Sequence, residues 1–508
     1  MGRRGLPTYR HQDPPAVKEG EKMSENQVEM IDDEALTDHA CAERLMKLYG
    51  EQYIHYCDDT KRWVEYDGTK WTQVEKATIA SKYANASIKS LRQQLAKQMS
   101  EGSSDNVDVA AVIKSYLKKF SAKRNARPLF DMVRLAEGMN PWKMGDFDQI
   151  PYLWNCKNGV LDLKTGKLQP HDPAFKITKI SNAAFIDGYS TPDCLWLRFI
   201  ESVFPNPDTR EFVQRLMGAA MAGNPKALEK FVFFLGDGSN GKSIFMGAIF
   251  DNAGDYAVSV KSEIYVKGKR QDKGRANPNQ ASLRGARFAF SDEIDEEGQI
   301  DEQEVKALSG SFAITARYLG QNNITFPPTH TSFVCVNDMP GINSTKGIAL
   351  TRRFKVIPFT QTFSEEDGTA DPNLANQLRE EQALSDGLYW LFDGCRKWLK
   401  CGLNEAPEVK AATNKYFMDY DYIGAFLHEC CIFGENLKIH QADLYSAFNT
   451  FCLNEYGQTE IESRKSFNSA MKKRYENRRR YYRGISIDPA KTEQGNAEAP
   501  LKGWHALR

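Results

Sequence analysis

The sequence lacks several features that would assign it to a class at once. It has no run of about 18 apolar residues, which argues against a transmembrane helix, and no apolar stretch behind its first charges, which argues against a secretory signal. Its ten cysteines form no C-x-x-C pair and no set with zinc spacing, so we expect reduced, buried thiols. Basic and acidic residues balance at 67 each, which excludes a uniformly basic coat but permits a local basic channel. These absences predict a cytoplasmic protein without a membrane partner.

The length of 508 residues predicts several domains, because one ordinary core serves about 100 to 200 residues. Residues 1–30 are polar and contain proline, and we expect a disordered tail there. A first α+β domain is predicted over residues 31–194, with hairpins in residues 54–75 and a strand, a Lys164–Lys167 turn and a second strand in residues 154–171.

Strands that alternate with helices follow over residues 195–365. Such alternation predicts an α/β fold with a mostly parallel sheet and a ligand at its carboxyl edge. The predicted strands are FVFFL at 231–235, FAFS at 288–291, SFVCV at 332–336 and FKVIPF at 354–359. A helical linker is predicted over residues 366–415, in which residues 374–400 have a helical pattern.

Residues 416–508 are predicted to form a separate module. Helices expected at 423–429, 441–454 and 465–475 precede a basic stretch, and wing strands are expected at 484–487 and 503–507. This order is typical of a winged helix-turn-helix, so Lys472, Lys473 and Arg478 are candidate DNA-binding residues.

The strongest motif is GDGSNGKS, which follows the apolar strand 231–235 and precedes a helix. Glycines let the backbone N–H groups of such a loop converge on phosphate oxygens, and the helix adds its positive end. We predict that Lys242 neutralises β- and γ-phosphate charge and that the Ser243 hydroxyl coordinates Mg²⁺. The residues predicted to bind ATP are Gly236, Asp237, Gly238, Ser239, Asn240, Gly241, Lys242 and Ser243.

Polar residues also follow the other predicted strands. Asp292 and Glu293 end the strand FAFS, and we assign Asp292 to Mg²⁺ and Glu293 to activation of the attacking water, with Asp295 as the alternative. Asn337 ends the next strand and could reach that water or the γ-phosphate.

Two arginines, Arg352 and Arg353, precede the last strand. A cation at this place could neutralise γ-phosphate charge, in its own subunit or in a neighbouring one.

These motifs, together with KRWVEYDGTKW and WNCKNGVLDLKTGKLQPHDP upstream, resemble the superfamily 3 helicases. The resemblance is to the phage and plasmid branch and to poxvirus-type primase-helicases. It implies an AAA+ type P-loop core in a homo-hexameric ring, with ATP and Mg²⁺ bound between subunits. Arg353 or Arg352 would then reach the neighbouring site, and one DNA strand would pass through the pore.

The resemblance also implies a pore hairpin between Tyr318 and Pro327. Its tip reads Gly320-Gln321-Asn322-Asn323 and lacks the basic residue common in the family, so Arg317, Gln321, Asn322 or Lys346 would contact DNA instead.

The predicted function is an ATP-dependent DNA helicase for replication of a phage, prophage or mobile element, acting at fork or origin DNA in the bacterial cytoplasm. We expect no primase core, because a helicase-associated domain accounts for the residues before the motor. A separate primase or polymerase is then an expected partner. The alternatives are an origin-binding initiator or DNA-translocating ATPase that unwinds weakly, and a DNA-binding regulator with a degenerate nucleotide site.

Overall fold

A computed structural model describes residues 37–50, 52–100, 115, 118, 127–267, 277–291, 294, 299–320, 322–342, 352–419, 422–456 and 463–489. Within these residues the chain is mixed α/β, with a five-stranded parallel sheet and smaller, mostly antiparallel sheets around it. None of the described helices combines the length and the apolar character needed to span a membrane. All ten cysteines are free thiols and eight of them are buried.

The N-terminal part combines a helical cluster with two small antiparallel sheets. Its elements are α1 (Asp38–Tyr49), β1 (Ile54–Cys57), β2 (Arg62–Tyr66), β3 (Trp71–Val74), α2 (Lys76–Ile79), a π-helical turn (Ala80–Ala84), α3 (Asn85–Ser100), α4 (Arg127–Ala136), β4 (Leu153–Cys156), β5 (Gly159–Asp162) and β6 (Leu168–Gln169). The meander β1-β2-β3 confirms the hairpins predicted in residues 54–75. The prediction for residues 154–171 was incomplete, because Cys156 pairs with Gly159 and adds a two-residue turn before the Lys164–Lys167 turn.

The central sheet has the strand order β15-β7-β13-β9-β8, and all of its strand pairs are parallel. Its region contains α5 (Leu195–Val203), α6 (Pro207–Met221), α7 (Pro225–Leu228), β7 (Phe231–Leu235), α8 (Lys242–Ala253), β8 (Ala257–Val260), α9 (Pro278–Ser282), β9 (Phe288–Ser291), β10 (Gln299–Ile300), α10 (Glu302–Gly310), β11 (Ile314–Ala316), β12 (Ile324–Phe326), β13 (Thr331–Val336), β14 (Gly341–Ile342) and β15 (Phe354–Pro358). The strands are buried runs of β-branched and aromatic residues, as a sheet covered on both faces requires.

A helical layer covers one face of this sheet. After α11 (Leu374–Gln377), the long helix α12 (Glu381–Cys401) packs on α6 so closely that a Cβ on Gly218 would lie 2.0 Å from the Cys395 backbone nitrogen. The helical character predicted for residues 374–400 is confirmed, with a break where the extended backbone of Glu380 separates α11 from α12. Helix α13 (Pro407–Asp419) then runs along β15.

The C-terminal module contains three helices and a three-stranded antiparallel sheet of order β16-β18-β17. Its elements are α14 (Tyr422–Cys430), β16 (Cys431–His440), α15 (Gln441–Tyr456), α16 (Arg464–Arg474), β17 (Asn477–Arg478) and β18 (Tyr481–Ile487). The strand predicted at residues 484–487 is part of β18, which pairs with β16 and β17. The other predicted wing strand, 503–507, lies outside the described residues.

Candidate phosphate-binding site

The loop between β7 and α8 curls tightly at the carboxyl edge of the central sheet. Gly238 and Gly241 have φ values of +102° and +85°, in the region that favours glycine. Gly236 is required for space instead, since a Cβ there would lie 2.1 Å from Asn240 Nδ2 and 2.9 Å from the Phe359 carbonyl oxygen. The glycines therefore let the backbone turn back over the end of β7.

Lys242 is the first residue of α8 and is 6% exposed. Its ammonium group donates to the Gly236 carbonyl oxygen and lies 3.3 Å from Asn337 Oδ1. With its amide oxygen turned toward the donors, Asn240 accepts from the Asp237 N–H at 3.2 Å and from Lys242 Nζ at 3.1 Å. These neutral oxygens accept from the ammonium and hold it at the loop.

Asn337 reaches Lys242 because of the strand register. Val336 at the end of β13 pairs with Leu235 at the end of β7, so the residues that follow the two strands are neighbours. The structure thus brings Lys242 and Asn337 together although they are 95 positions apart.

Helix α8 directs its N-terminal end into the same loop. Gly241 caps it, and Ser243 is exposed on the first turn, where the backbone N–H groups point out of the helix. A glycine-rich loop, a helix N-terminus and a lysine together form a site suited to a phosphate group.

The segment after β15 supports the loop, a role that no sequence motif indicated. The Phe359 N–H donates to the Leu235 carbonyl at 2.7 Å, and the Phe363 N–H donates to the Ser239 carbonyl at the same distance. The Phe363 ring also lies 3.2 Å from the position that a Cβ on Gly241 would take. Residues 359–363 therefore hold the loop in this conformation through two backbone hydrogen bonds and the Phe363 ring.

The acidic half of the predicted site falls outside the described residues. This applies to Asp292, Glu293 and the alternative Asp295. Ser291, at the end of β9, pairs with Val334 of β13. The chain therefore leaves the sheet beside β13, the strand that Asn337 follows. Among the described residues, no group of three or more His, Cys, Asp or Glu side chains has the geometry of a metal site.

Arg352 and Arg353 lie at the opposite, amino edge of the sheet. Phe354 pairs with Phe231 at the start of β7, and five strand residues separate this edge from the phosphate loop, which is about 16 Å at the usual rise per residue. The two arginines therefore do not meet Lys242 within one chain.

The environments of the two arginines differ. The Arg353 side chain is 12% exposed and contacts Ser309 Oγ at 3.1 Å and Glu229 at 3.5 Å. The Arg352 side chain is 66% exposed and contacts Glu229 at 3.3 Å. Arg353 is thus part of the packed structure, whereas Arg352 faces outward.

Strands β11 and β12 form an antiparallel hairpin whose turn and second strand lie in residues 318–327, the segment predicted for the pore hairpin. Its turn exposes Leu319 to 84%, while Arg317 is half-buried. Asn322 Nδ2 donates to the Asp59 carbonyl oxygen at 3.2 Å, so the tip contacts the N-terminal meander. Gln321 and Lys346 lie outside the described residues.

The predicted DNA contacts of the C-terminal module lie on two elements. Lys472 is exposed on α16 and Arg478 is exposed on β17, while the Lys473 side chain lies outside the described part.

Two family models match parts of this chain. Residues 42–205 match the family described as "D5 N terminal like", and residues 234–353 match a "Family of unknown function (DUF5906)". The second match contains the phosphate loop, β13 and both arginines.

Similar proteins occur in large DNA viruses and a virophage. The chain is 25% identical over 453 residues to the putative helicase L207/L206 of Acanthamoeba polyphaga mimivirus, covering 82% of this chain and 46% of the relative. It is 29% identical over 270 residues to the putative helicase 022R of Frog virus 3, covering 50% of this chain and 27% of the relative. It is 24% identical over 197 residues to the putative primase C962R of African swine fever virus, covering 37% and 20%. The chain thus spans less than half the length of each of these relatives.

Among solved structures, the apo C-terminal region of NrS-1 is similar, with a TM-score of 0.44 at 8% identity, covering 76% of this chain and 80% of that one. By these matches the chain is similar to viral proteins named putative helicases and a putative primase.

Proposed function

We propose that this chain is an ATP-dependent DNA helicase that acts in replication of a viral or other mobile genome, with Mg²⁺-ATP bound at the β7–α8 loop. The observation that carries the proposal is the convergence of Lys242 and Asn337 at the carboxyl edge of a parallel sheet, beside a glycine-rich loop and the N-terminal end of α8. Relatives named helicases supply the nucleic-acid substrate class.

The roles of the site residues follow from their positions. The loop amides and Lys242 would bind the β- and γ-phosphates, and the exposed Ser243 hydroxyl would bind Mg²⁺ together with Asp292. Asn337 would orient the attacking water or the γ-phosphate, and Glu293 would activate that water. Bound Mg²⁺ would offset the charge that develops on the phosphate oxygens.

The position of the arginines supports a ring of AAA+ type subunits with the site between neighbours. An arginine about 16 Å from the loop of its own chain cannot serve that loop, but a head-to-tail arrangement brings it to the next subunit. We propose Arg352 as the residue that reaches across, because it is exposed. Arg353 would hold the segment in place through Ser309 and Glu229.

Mixing two inactive variants tests the inter-subunit site. Lys242→Ala and Arg352→Ala should each abolish ATP hydrolysis alone. In a mixed ring, about a quarter of the interfaces would combine the intact Lys242 of one variant with the intact Arg352 of the other, so activity should return. If the mixture stays as inactive as its parts, the inter-subunit arginine is wrong.

Unwinding of a forked duplex separates the helicase from its alternatives. We expect ATP-dependent strand separation by the wild-type chain and none by Lys242→Ala. Hydrolysis stimulated by DNA without strand separation would favour an initiator or a translocating ATPase. Nucleic-acid binding without hydrolysis would favour a regulator.

The C-terminal module supports a DNA-binding role in the motor or in the initiator. Its described elements run helix, strand, two helices and a two-stranded hairpin, and we propose that this module is winged-helix-like. The activity proposed for this chain is that of the motor. A separate primase would supply priming.

A further inference from the structure

The turn between β17 and β18 is a strained, two-residue turn made of arginines. Arg478 pairs with Tyr481, which leaves Arg479 and Arg480 as the only residues of the loop. Their φ values are +50° and +69°. Two-residue hairpins with both residues at positive φ favour Asn-Gly or Gly-Gly, and arginine is rare there.

The surrounding contacts hold this turn in place. The Gln441 N–H donates to the Arg480 carbonyl oxygen at 2.9 Å. The Tyr482 hydroxyl, in the strand that leaves the turn, donates to Asn468 Oδ1 of α16 at 2.9 Å. Turn and helix therefore form one rigid surface, and a costly backbone conformation kept rigid in this way points to a function.

The charge on this surface is predominantly positive. Residues 464–487 contain nine basic residues and one acidic residue, Glu476. Arg478, Arg479 and Arg480 are all exposed, and within the described part of the chain no side chain forms an ion pair with them.

The aromatic rings and the narrow turn on this surface favour a duplex over a single strand as the partner. Single-strand sites combine cations with free aromatic faces. Here the exposed Tyr481 ring packs against His440 at 5.1 Å, and Phe433 stacks on Tyr475 at 6.2 Å, so both rings already have partners. A narrow arginine turn beside a basic helix instead fits the minor groove next to a helix in the major groove.

We propose that the Arg479–Arg480 turn inserts into the minor groove of B-form duplex DNA while α16 lies along the adjacent major groove. This proposal rests on the proposed function only for DNA as the partner, and it adds that the C-terminal module binds duplex DNA. It does not require the ATP site to act.

The double variant Arg479→Asn, Arg480→Gly provides the test, because Asn-Gly suits the turn better than the native pair. Its melting temperature should equal or exceed that of the wild type. Binding to a labelled duplex of about three helical turns, measured without nucleotide, should weaken roughly 30-fold at 0.15 M salt. The slope of log K against log salt should lose about 1.8, since two phosphate contacts contribute about 0.9 each.

Matched variants separate charge from turn geometry. Arg479→Lys, Arg480→Lys keeps both charges and should retain most of the affinity. Lys400→Gln, Lys410→Gln removes two exposed charges elsewhere and should change the affinity by less than twofold. If the double variant folds poorly, Arg480→Gly alone can be tested. Its slope of log K against log salt should fall by about 0.9, half of the loss expected for the double variant.

The proposal is overturned if the Asn-Gly variant folds and binds duplex as the wild type does. It is also overturned if single-stranded DNA binding falls as much as duplex binding, because the turn would then not be a groove-binding element. Unchanged ATP hydrolysis in the same variant is expected. An inactive ATP site in the wild type would refute the motor without touching this inference.

Discussion

Replacement of Asn337 by alanine is the most informative single change at the nucleotide site. It removes the amide oxygen 3.3 Å from Lys242 Nζ, at the point where β13 leaves the sheet. Removal of one polar group that acts on a transition state typically costs about 2.7 to 4 kcal/mol, or roughly 10² to 10³ in kcat. Because the side chain is exposed, stability should change by less than about 0.5 kcal/mol.

The assay combines steady-state ATP hydrolysis with equilibrium binding of a fluorescent ATP analogue. For Asn337→Ala we expect the fall in kcat with binding changed by less than threefold, since Lys242 and the loop amides remain. For Asn337→Asp we expect binding to weaken roughly fivefold, because a carboxylate beside Lys242 competes with phosphate with the ~1 kcal/mol of an accessible ion pair. Full activity of Asn337→Ala would refute a role for this residue in the reaction.

Three further predictions concern stability. Arg353→Ala should lower the free energy of unfolding by about 1 to 3 kcal/mol through loss of buried hydrogen bonds, whereas Arg352→Ala should change it by less than about 0.5, both measured by urea unfolding. Burial lowers the pKa of His330 to about 4 from 6.5, so the unfolded chain binds the proton more readily than the folded chain. The free energy of unfolding should therefore fall by about 2 kcal/mol between pH 8 and pH 5. His330→Asn should remove that part of the pH dependence, and an unchanged profile would contradict the prediction. Gly218→Ala should destabilise by roughly 3 kcal/mol, because its Cβ would overlap the backbone of α12, and a melting temperature equal to the wild type would show that the two helices separate freely.

The sequence predicted four of the five central strands, which are short apolar runs bounded by polar residues, but not the edge strand β8, Ala257–Val260. The strands at 231–235 and 288–291 match the prediction in full, and β13 and β15 differ by one residue at one end. Strand order and register were not predictable, yet they decide which strand ends are neighbours. The contact of Lys242 with Asn337 depends on that register.

The C-terminal sheet shows where the sequence pattern failed. Strand β16 was missed because its middle is exposed and polar, and its pairing with β18 is interrupted between Phe433 and Lys438. The turn at Arg479–Arg480 was missed because it lacks the Asn-Gly or Asp-Gly signal of such hairpins. In both places the packing of the module overrides local preference.

The choice between Arg352 and Arg353 could not be made from adjacent, identical residues. Burial separates them, since Ser309 and Glu229 enclose Arg353 while Arg352 remains outside. The assignment of Asp292 to Mg²⁺ and of Glu293 to the attacking water remains a prediction.

The central claim is that the β7–α8 loop binds and hydrolyses ATP, and DNA-stimulated hydrolysis by Lys242→Ala measures it most directly. Lys261→Ala, which removes an exposed lysine after β8, is the matched control. We expect phosphate release to fall at least about 10²-fold in Lys242→Ala, the scale for loss of one preorganised charge contact to the phosphates, and to stay at the wild-type rate in Lys261→Ala. Equal rates in the wild type and in a folded Lys242→Ala variant would contradict the account.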